Sequence, residues 1–239
     1  MNPIDSAMSL GYGVIVSGRS SRKLDNTMRF AQPLDQIFDH AMKIRVLRFL
    51  CRRGGQWSGR RLAAELQSNP TTMHKALREL RETTVLDFQK VGNNFVYSLA
   101  DDHYLVQAIL RPVFRQEAHG VAQVAQLLRQ ALGPALQRSV VTVVLYGSVA
   151  RHQERPTSDL DVLVLVRSPQ AKRQVQDALN QHWEALTRRF GNSLAPHINT
   201  VHEAQQKSRR GVALFQEILK AHQVLWGSPL EEVLRGRPT

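Results

Sequence analysis

The sequence predicts an α/β chain of the α+β kind, folded as two domains: three helices and a β-hairpin first, a small mixed sheet with flanking helices second. Three observations predict it. Apolar residues recur at helical spacing from Pro33 to Arg81, and two strand-like runs then flank a Gly-Asn-Asn turn. Further on, two apolar runs of strand length bracket a Gly-Ser and an Asp-Leu-Asp. A length of 239 residues accommodates two such domains.

Composition narrows the function classes. Apolar residues make up 42% and charged residues 22%, close to globular averages, which argues against a basic disordered tail. Lys and Arg number 32 against 20 Asp and Glu, a formal net charge of +12, so a polyanionic partner is expected. Residues 1–100 hold 15 Lys/Arg against 8 Asp/Glu and the remainder 17 against 12, so both halves are basic and charge alone does not choose between them. The single cysteine, Cys51, excludes an internal disulfide framework and a cysteine zinc cluster. A cytoplasmic location is expected. No apolar run reaches the roughly 18 residues of a membrane span, and no export signal opens the chain, so no membrane partner is expected.

Residues 1–30 are rich in Gly and Ser without a period and read as a flexible leader; Gly11, Gly13 and Gly18 lack the spacing and the preceding strand of a dinucleotide fingerprint. Ordered patterning begins near Met28, which leaves Met1 and Met28 both open as translation starts. The first domain spans 31–101. From Pro33, Leu34, Ile37, Phe38, Ala41, Ile44, Leu47 and Leu50 form one helical face, with Lys43 and the neighbouring arginines mostly off it, and Gly54-Gly55 stop the helix. Ser58 caps a second helix carrying Leu62, Ala63 and Leu66. Asn69-Pro70 starts a third over 70–81, since Asn accepts free amides and Pro is preorganised at the first helical position. That helix buries Met73, Leu77 and Leu80 and exposes Thr71, Thr72, His74, Lys75, Arg78 and Arg81. Strands at 85–91 and 95–99 flank the turn at Gly92-Asn93-Asn94.

Three helices, a tight turn between the last two, and a hairpin make up a winged helix-turn-helix. The segments 44–50, 61–63, 69–80 and 95–99 resemble the winged-helix domains of bacterial and archaeal transcription regulators. The resemblance implies DNA as a partner: Thr71, Thr72, His74, Lys75 and Arg78 would face bases and phosphates, with Lys90, Asn93 and Asn94 near the wing. It also implies a homodimer, the common state of such regulators. A solvated helix face of this kind also suits protein docking. Residues 102–137 read as one or two amphipathic helices, a helical connector or dimer surface, with Pro112 and Gly120 as candidate breaks.

The second domain spans 138–239. The β-branched run 139–146 ends in Gly147-Ser148, and ten residues later Asp159-Leu160-Asp161 opens a second apolar run to Val166. Strand alternation sets both carboxylates on one face. Their repulsion needs a cation or protons to offset it, and hard oxygen ligands suit Mg²⁺ bridging nucleotide phosphates. Gly147 lets backbone approach a phosphate, and Ser148 offers a hydroxyl and an amide. No His-Glu-x-x-His arrangement suggests a zinc enzyme. Further segments, 171–190 and 211–225, read as helices flanking the sheet.

Gly-Ser, ten residues, then Asp-hydrophobic-Asp resembles the signature of the polymerase-β-like nucleotidyltransferase superfamily, and the strings 145–151 and 158–164 are similar to its minimal branch over about residues 138–228. The resemblance implies that Asp159 and Asp161 are catalytic and hold Mg²⁺ (or Mn²⁺), that Gly147 and Ser148 seat the triphosphate of ATP or another NTP, and that Arg151 offsets phosphate charge. It implies transfer of an NMP to a hydroxyl acceptor, a protein among the candidates, with pyrophosphate leaving. Family members place a third carboxylate on a later strand; here the matching strand is 197–201, whose candidates His197 and Asn199 are not carboxylates. Glu203 shares their parity but reads as the start of the next helix. Two functions therefore stand at this point: an active transferase tethered to a DNA-binding winged helix, or a non-enzymatic DNA-binding regulator whose degenerate domain senses a nucleotide.

Overall fold

The computed structural model describes residues 31–155 and 157–236; the leader, its glycines and the choice between Met1 and Met28 lie outside them. The chain divides into two compact units, the first ending at Phe114 and the second starting at Arg115.

In the first unit, α1 (Ala41–Arg53), β1 (Trp57–Ser58), α2 (Gly59–Glu65), α3 (Pro70–Glu82), β2 (Leu86–Val91) and β3 (Asn94–Leu99) follow in order. The strands form one antiparallel sheet, ordered β1-β3-β2. The sequence extends the first helix back to Pro33, but α1 starts at Ala41, capped by the His40 Nδ1, which accepts the Met42 N–H at 3.1 Å. Leu34, Ile37 and Phe38 instead form a turn in which the Ile37 and Phe38 amides bond the Leu34 carbonyl, and that turn buries Ile37 without continuing as a helix. Val46, Leu47 and Leu50 of α1 pack with Leu62, Met73, Leu77, Leu80, Tyr97 and Leu99 in one core. Ser58 and Asn69 cap α2 and α3 as their chemistry requires, Asn69 Oδ1 accepting the Thr71 N–H at 2.8 Å.

Lys43 lies inside this unit, only 3% exposed, rather than off the buried face. Its Nζ donates to the Gln36 carbonyl (2.9 Å) and to Asp39 Oδ2 (3.0 Å) and meets Glu79 Oε2 at 2.9 Å, pinning α1 to α3. Burial alone would lower the pKa of this ammonium; the bonds to Glu79 and Asp39 outweigh it and hold the pKa above its ordinary value.

Residues 102–137 are divided between the units. A π-helical turn (Val106–Leu110) brings Leu105, Val106 and Leu110 into the first core, joined by Phe114 of α4 (Arg111–Ala118). Val124, Leu128 and Leu132 of α5 (Gly120–Gln137) belong to the second. The segment thus contributes apolar residues to both cores. α5 breaks at Gly133 (φ 64°, ψ 167°), just before Pro134.

The second unit continues with β4 (Val140–Leu145), α6 (Gly147–Ala150), β5 (Leu160–Val166), α7 (Pro169–Phe190), β6 (Leu194–Thr200), α8 (Val201–Arg209), α9 (Ala213–Lys220), β7 (Gln223–Gly227) and α10 (Leu230–Arg235). Its sheet runs β6-β5-β4-β7, with β5 and β6 parallel and the other pairs antiparallel. Both faces are covered. Val162, Val164 and Val166 pack toward α5 and α7, while Leu163 and Leu165 pack with Ala204, Phe215, Ile218 and Leu230 beneath α8 to α10. The expected helix at 211–225 is overturned: α9 ends at Lys220, and Gln223–Gly227 pairs with β4. The Val224-Leu225-Trp226 run favours a strand once β4 offers it an open edge.

Candidate functional site

The Gly-Ser turn and the Asp pair are pressed together where β4 ends and β5 begins. Leu145 pairs with Val162, and the Tyr146 N–H donates to the Asp161 carbonyl at 2.9 Å. Gly147 has φ 74°, and a Cβ added there would overlap Asp161 Oδ2 and lie 2.9 Å from its Cγ. The Asp161 carboxylate therefore rests on the bare Cα of Gly147, and any side chain there would displace it. Beyond the glycine, α6 is a single turn closed by the Arg151 N–H on the Gly147 carbonyl and followed by the Gln153 N–H on that of Ser148. The approach to Asp159 is fixed from both sides. Ser158 Oγ accepts the Arg155 N–H, Asn192 Nδ2 donates to the Ser158 carbonyl at 2.8 Å, and the Leu160 N–H donates to the Ser193 carbonyl at 2.8 Å.

Charge at this corner is unbalanced. Asp159 is exposed and Asp161 half-buried. Burial, then the Asp159 charge, pushes the Asp161 carboxyl up from its ordinary value, with the Arg151 guanidinium opposing them. Burial and the Asp161 charge likewise raise the Tyr146 phenol. Two carboxylates that repel each other, one seated on a glycine, fit a Mg²⁺-type ion, which keeps several waters and takes one or two carboxylates alongside substrate phosphates. Among the described residues, no group of three or more His, Cys, Asp or Glu gathers as a complete metal cage.

The register of β5 and β6 decides what faces the pair. Asp161 stands opposite Ala195, Leu163 opposite His197, and Leu165 opposite Asn199. His197 and Asn199 share the Asp161 face, but at about 3.3 Å per residue they lie about 7 Å and about 13 Å further along the sheet. The charges acting on His197 are those of Lys207, Lys172 and Glu203, and burial above all lowers its pKa. Its Nε2 is buried without a partner, and its ring meets Phe215 edge-on at 6.4 Å. Asn199 is 1% exposed, its Oδ1 accepting from Lys207 Nζ at 2.7 Å and its Nδ2 unpaired. The strand parity was readable from sequence, whereas the register that sets an alanine opposite Asp161 was not. Glu203 opens α8 through a capping box with Thr200 and holds Lys172 at 2.8 Å. Glu217 of α9 had no sequence signal; it accepts from Lys220 Nζ at 2.6 Å, and that bond above all holds its carboxyl below the ordinary value, with the Arg151 charge the least of the causes.

In the first unit Thr71, Thr72, His74, Lys75 and Arg78 are all exposed on α3, and Lys90, Asn93 and Asn94 are exposed around the hairpin tip. A cleft of about 630 Å³ brings His74 together with Asn93 and Asn94 and adds Arg60 and Phe95, which spacing did not single out. Lys75, Arg78 and Lys90 lie outside that lining, and Lys75 stands 3.9 Å from Glu79.

Residues 126–210 match the family model of the nucleotidyltransferase domain. The match takes in Gly147, Ser148, Asp159 and Asp161 and lies wholly within the second unit. The chain is also similar to a chain in a crystal structure described as a toxin-antitoxin with AMP-PNP, at 16% identity and a TM-score of 0.30, over 47% of this chain and 78% of that one. No curated protein matches. Among the described residues, no helix is long and apolar enough to cross a membrane.

Proposed function

We propose that the nucleotidyltransferase domain moves an NMP from an NTP, ATP foremost, to a hydroxyl acceptor, with Mg²⁺ or Mn²⁺ held by Asp159 and Asp161, and that the first unit is a winged helix bound to DNA. The observation that carries the transfer reading is the contact of Asp161 with Gly147, which joins the phosphate-seating turn to the acidic pair. When bound, the ion would neutralise phosphate charge. The chain's own residues do the rest: Gly147 admits the triphosphate close to the backbone, Ser148 donates its hydroxyl to a phosphate oxygen, and Arg151 faces the charge of the departing pyrophosphate. The acceptor oxygen bonds to the α-phosphorus, the α–β bridging bond breaks, and the acceptor proton passes to solvent.

Ala195 opposite Asp161 favours a second reading, in which the domain binds the nucleotide without transferring it and sets the DNA affinity of the first unit. Labelled ATP with Mg²⁺ and cell extract separates the two. Label transfer lost in Asp159→Ala and Asp161→Ala supports the transferase; nucleotide binding without transfer supports the sensor; neither binding nor transfer overturns both.

A further inference from the structure

We infer that the outer half of the hairpin in the first unit is a binding surface for single-stranded RNA. The inference rests on the reading of this unit as a nucleic-acid binder; it shares Lys90, His74, Asn93 and Asn94 with that reading but adds Phe88 and Phe95 and concerns a different form of nucleic acid.

Side chains alternate across β2 and β3. The face that buries Leu86, Tyr97 and Leu99 at its inner end continues outward as Phe88, Lys90 and Phe95. Phe88 is 43% and Phe95 49% exposed, although both belong to the face that elsewhere forms core. Their rings lie 6.2 Å apart at 50°. The Arg81 guanidinium stands 4.5 Å over Phe88, and Lys90 pairs directly across from Phe95. Phe95 also walls the 630 Å³ cleft, whose lining includes Arg60 and His74 and has no carboxylate.

Two aromatic rings flanked by cations meet a definite chemical demand. Phosphate contacts alone need only Lys, Arg and small polar groups. Free aromatic faces pair with free base faces, which a duplex keeps stacked and an unpaired strand offers, while flanking cations follow the backbone. Arg81 and Lys90 beside the rings, with Arg60 in the cleft, complement a polyanion. Unpaired strands in a cell are chiefly RNA, and Asn93, Asn94 and His74 at the cleft rim supply donors and acceptors for a 2′-hydroxyl.

The test is fluorescence anisotropy at one fixed salt concentration, using the full chain and three labelled probes: a mixed-sequence RNA 12-mer, the same sequence as single-stranded DNA, and a DNA duplex. RNA is expected to bind at least threefold tighter than single-stranded DNA. Phe88→Ala with Phe95→Ala should lower RNA affinity on the order of tenfold or more, through two lost stacking platforms, and leave duplex affinity within twofold. Phe88→Tyr with Phe95→Tyr should restore RNA binding, which separates stacking from damage to the fold. Unchanged RNA affinity in the alanine pair, an equal loss on duplex, single-stranded DNA bound as tightly as RNA, or a change of oligomeric state on gel filtration would each overturn the inference. Duplex binding without RNA binding sinks this inference alone; RNA binding without duplex binding sinks the DNA reading alone.

Discussion

Gly147→Ala should separate folding from site assembly. The φ of 74° costs a non-glycine residue about 1–2 kcal/mol. For a chain of this size that lowers Tm by roughly 2–4 °C per kcal/mol, so the protein remains folded at room temperature. The site fares worse. The new Cβ lies 2.9 Å from Asp161 Cγ and closer still to Oδ2, where ordinary contact begins at 3.4 Å. Asp161 belongs to a strand paired on both sides, so relief comes from swinging the carboxylate by roughly 1 Å. A displacement of that size costs about 100-fold where reacting groups must be held in place. Calorimetric titration of Mg²⁺·ATP, with label transfer measured in parallel, is expected to show a loss on the order of 100-fold in one or both quantities beside a modest drop in Tm. If nucleotide affinity and transfer both stay within twofold of the parent while Tm falls as stated, Gly147 serves only the turn and the joined site does not exist.

Four further outcomes follow from other parts of the molecule. Lys43→Met strands Asp39 and Glu79 and should cost about 1–3 kcal/mol in urea unfolding followed by far-UV CD; no change would mean the buried ammonium fixes nothing. Hydrogen bonding from Lys43 holds the Glu79 carboxyl below its ordinary value, so the stability it gives is complete above the unfolded value near 4.5 and is lost as pH falls through the lower folded one; Lys43→Met should flatten that acid limb. Burial lowers the pKa of His103, whose Nδ1 accepts the Leu105 N–H at 3.1 Å, leaving Nε2 to donate to Thr84 Oγ1. The unfolded chain then takes the proton first, so Tm should fall as pH drops from about 7.5 to 5.5, and less steeply in His103→Gln. Lys75→Ala with Arg78→Ala should weaken duplex DNA binding and reduce the salt slope by about 2, read by gel shift at several salt concentrations; an unchanged slope removes α3 from the DNA interface.

Sequence resolved those parts of the fold whose causes are local. Asn69-Pro70 marks the start of α3 because cap and ring act within one turn, and Gly92 turns the hairpin between two strands of six residues each. Asp159-Leu160-Asp161 was legible for the same reason, since parity needs only neighbours. What escaped depends on partners distant along the chain. Lys43 is inside because Glu79, thirty-six residues on, neutralises it, and Ala195 faces Asp161 only through the parallel register of β5 and β6. Residues 223–225 read as the end of a helix until β4 claims them for β7. His197 illustrates the limit best. Its face was foreseeable, but its electrostatic company of Lys207, Lys172 and Glu203 comes from α7 and α8.

β7 has a practical consequence for dissecting the protein. The nucleotidyltransferase match stops at residue 210, yet the fourth strand of that sheet lies at Gln223–Gly227, held so tightly on β4 that a Cβ on Gly227 would fall 2.7 Å from Thr142 Cα. A fragment trimmed to the matched residues would strip that strand and leave the Val-rich β4 with an unpaired hydrogen-bonding edge, a template for pairing with another chain. It would also lose Phe215, Ile218, Leu230 and Val233 from beneath the sheet. Such a fragment should aggregate, whereas one running from Arg115 through α10 keeps both the edge and the core covered.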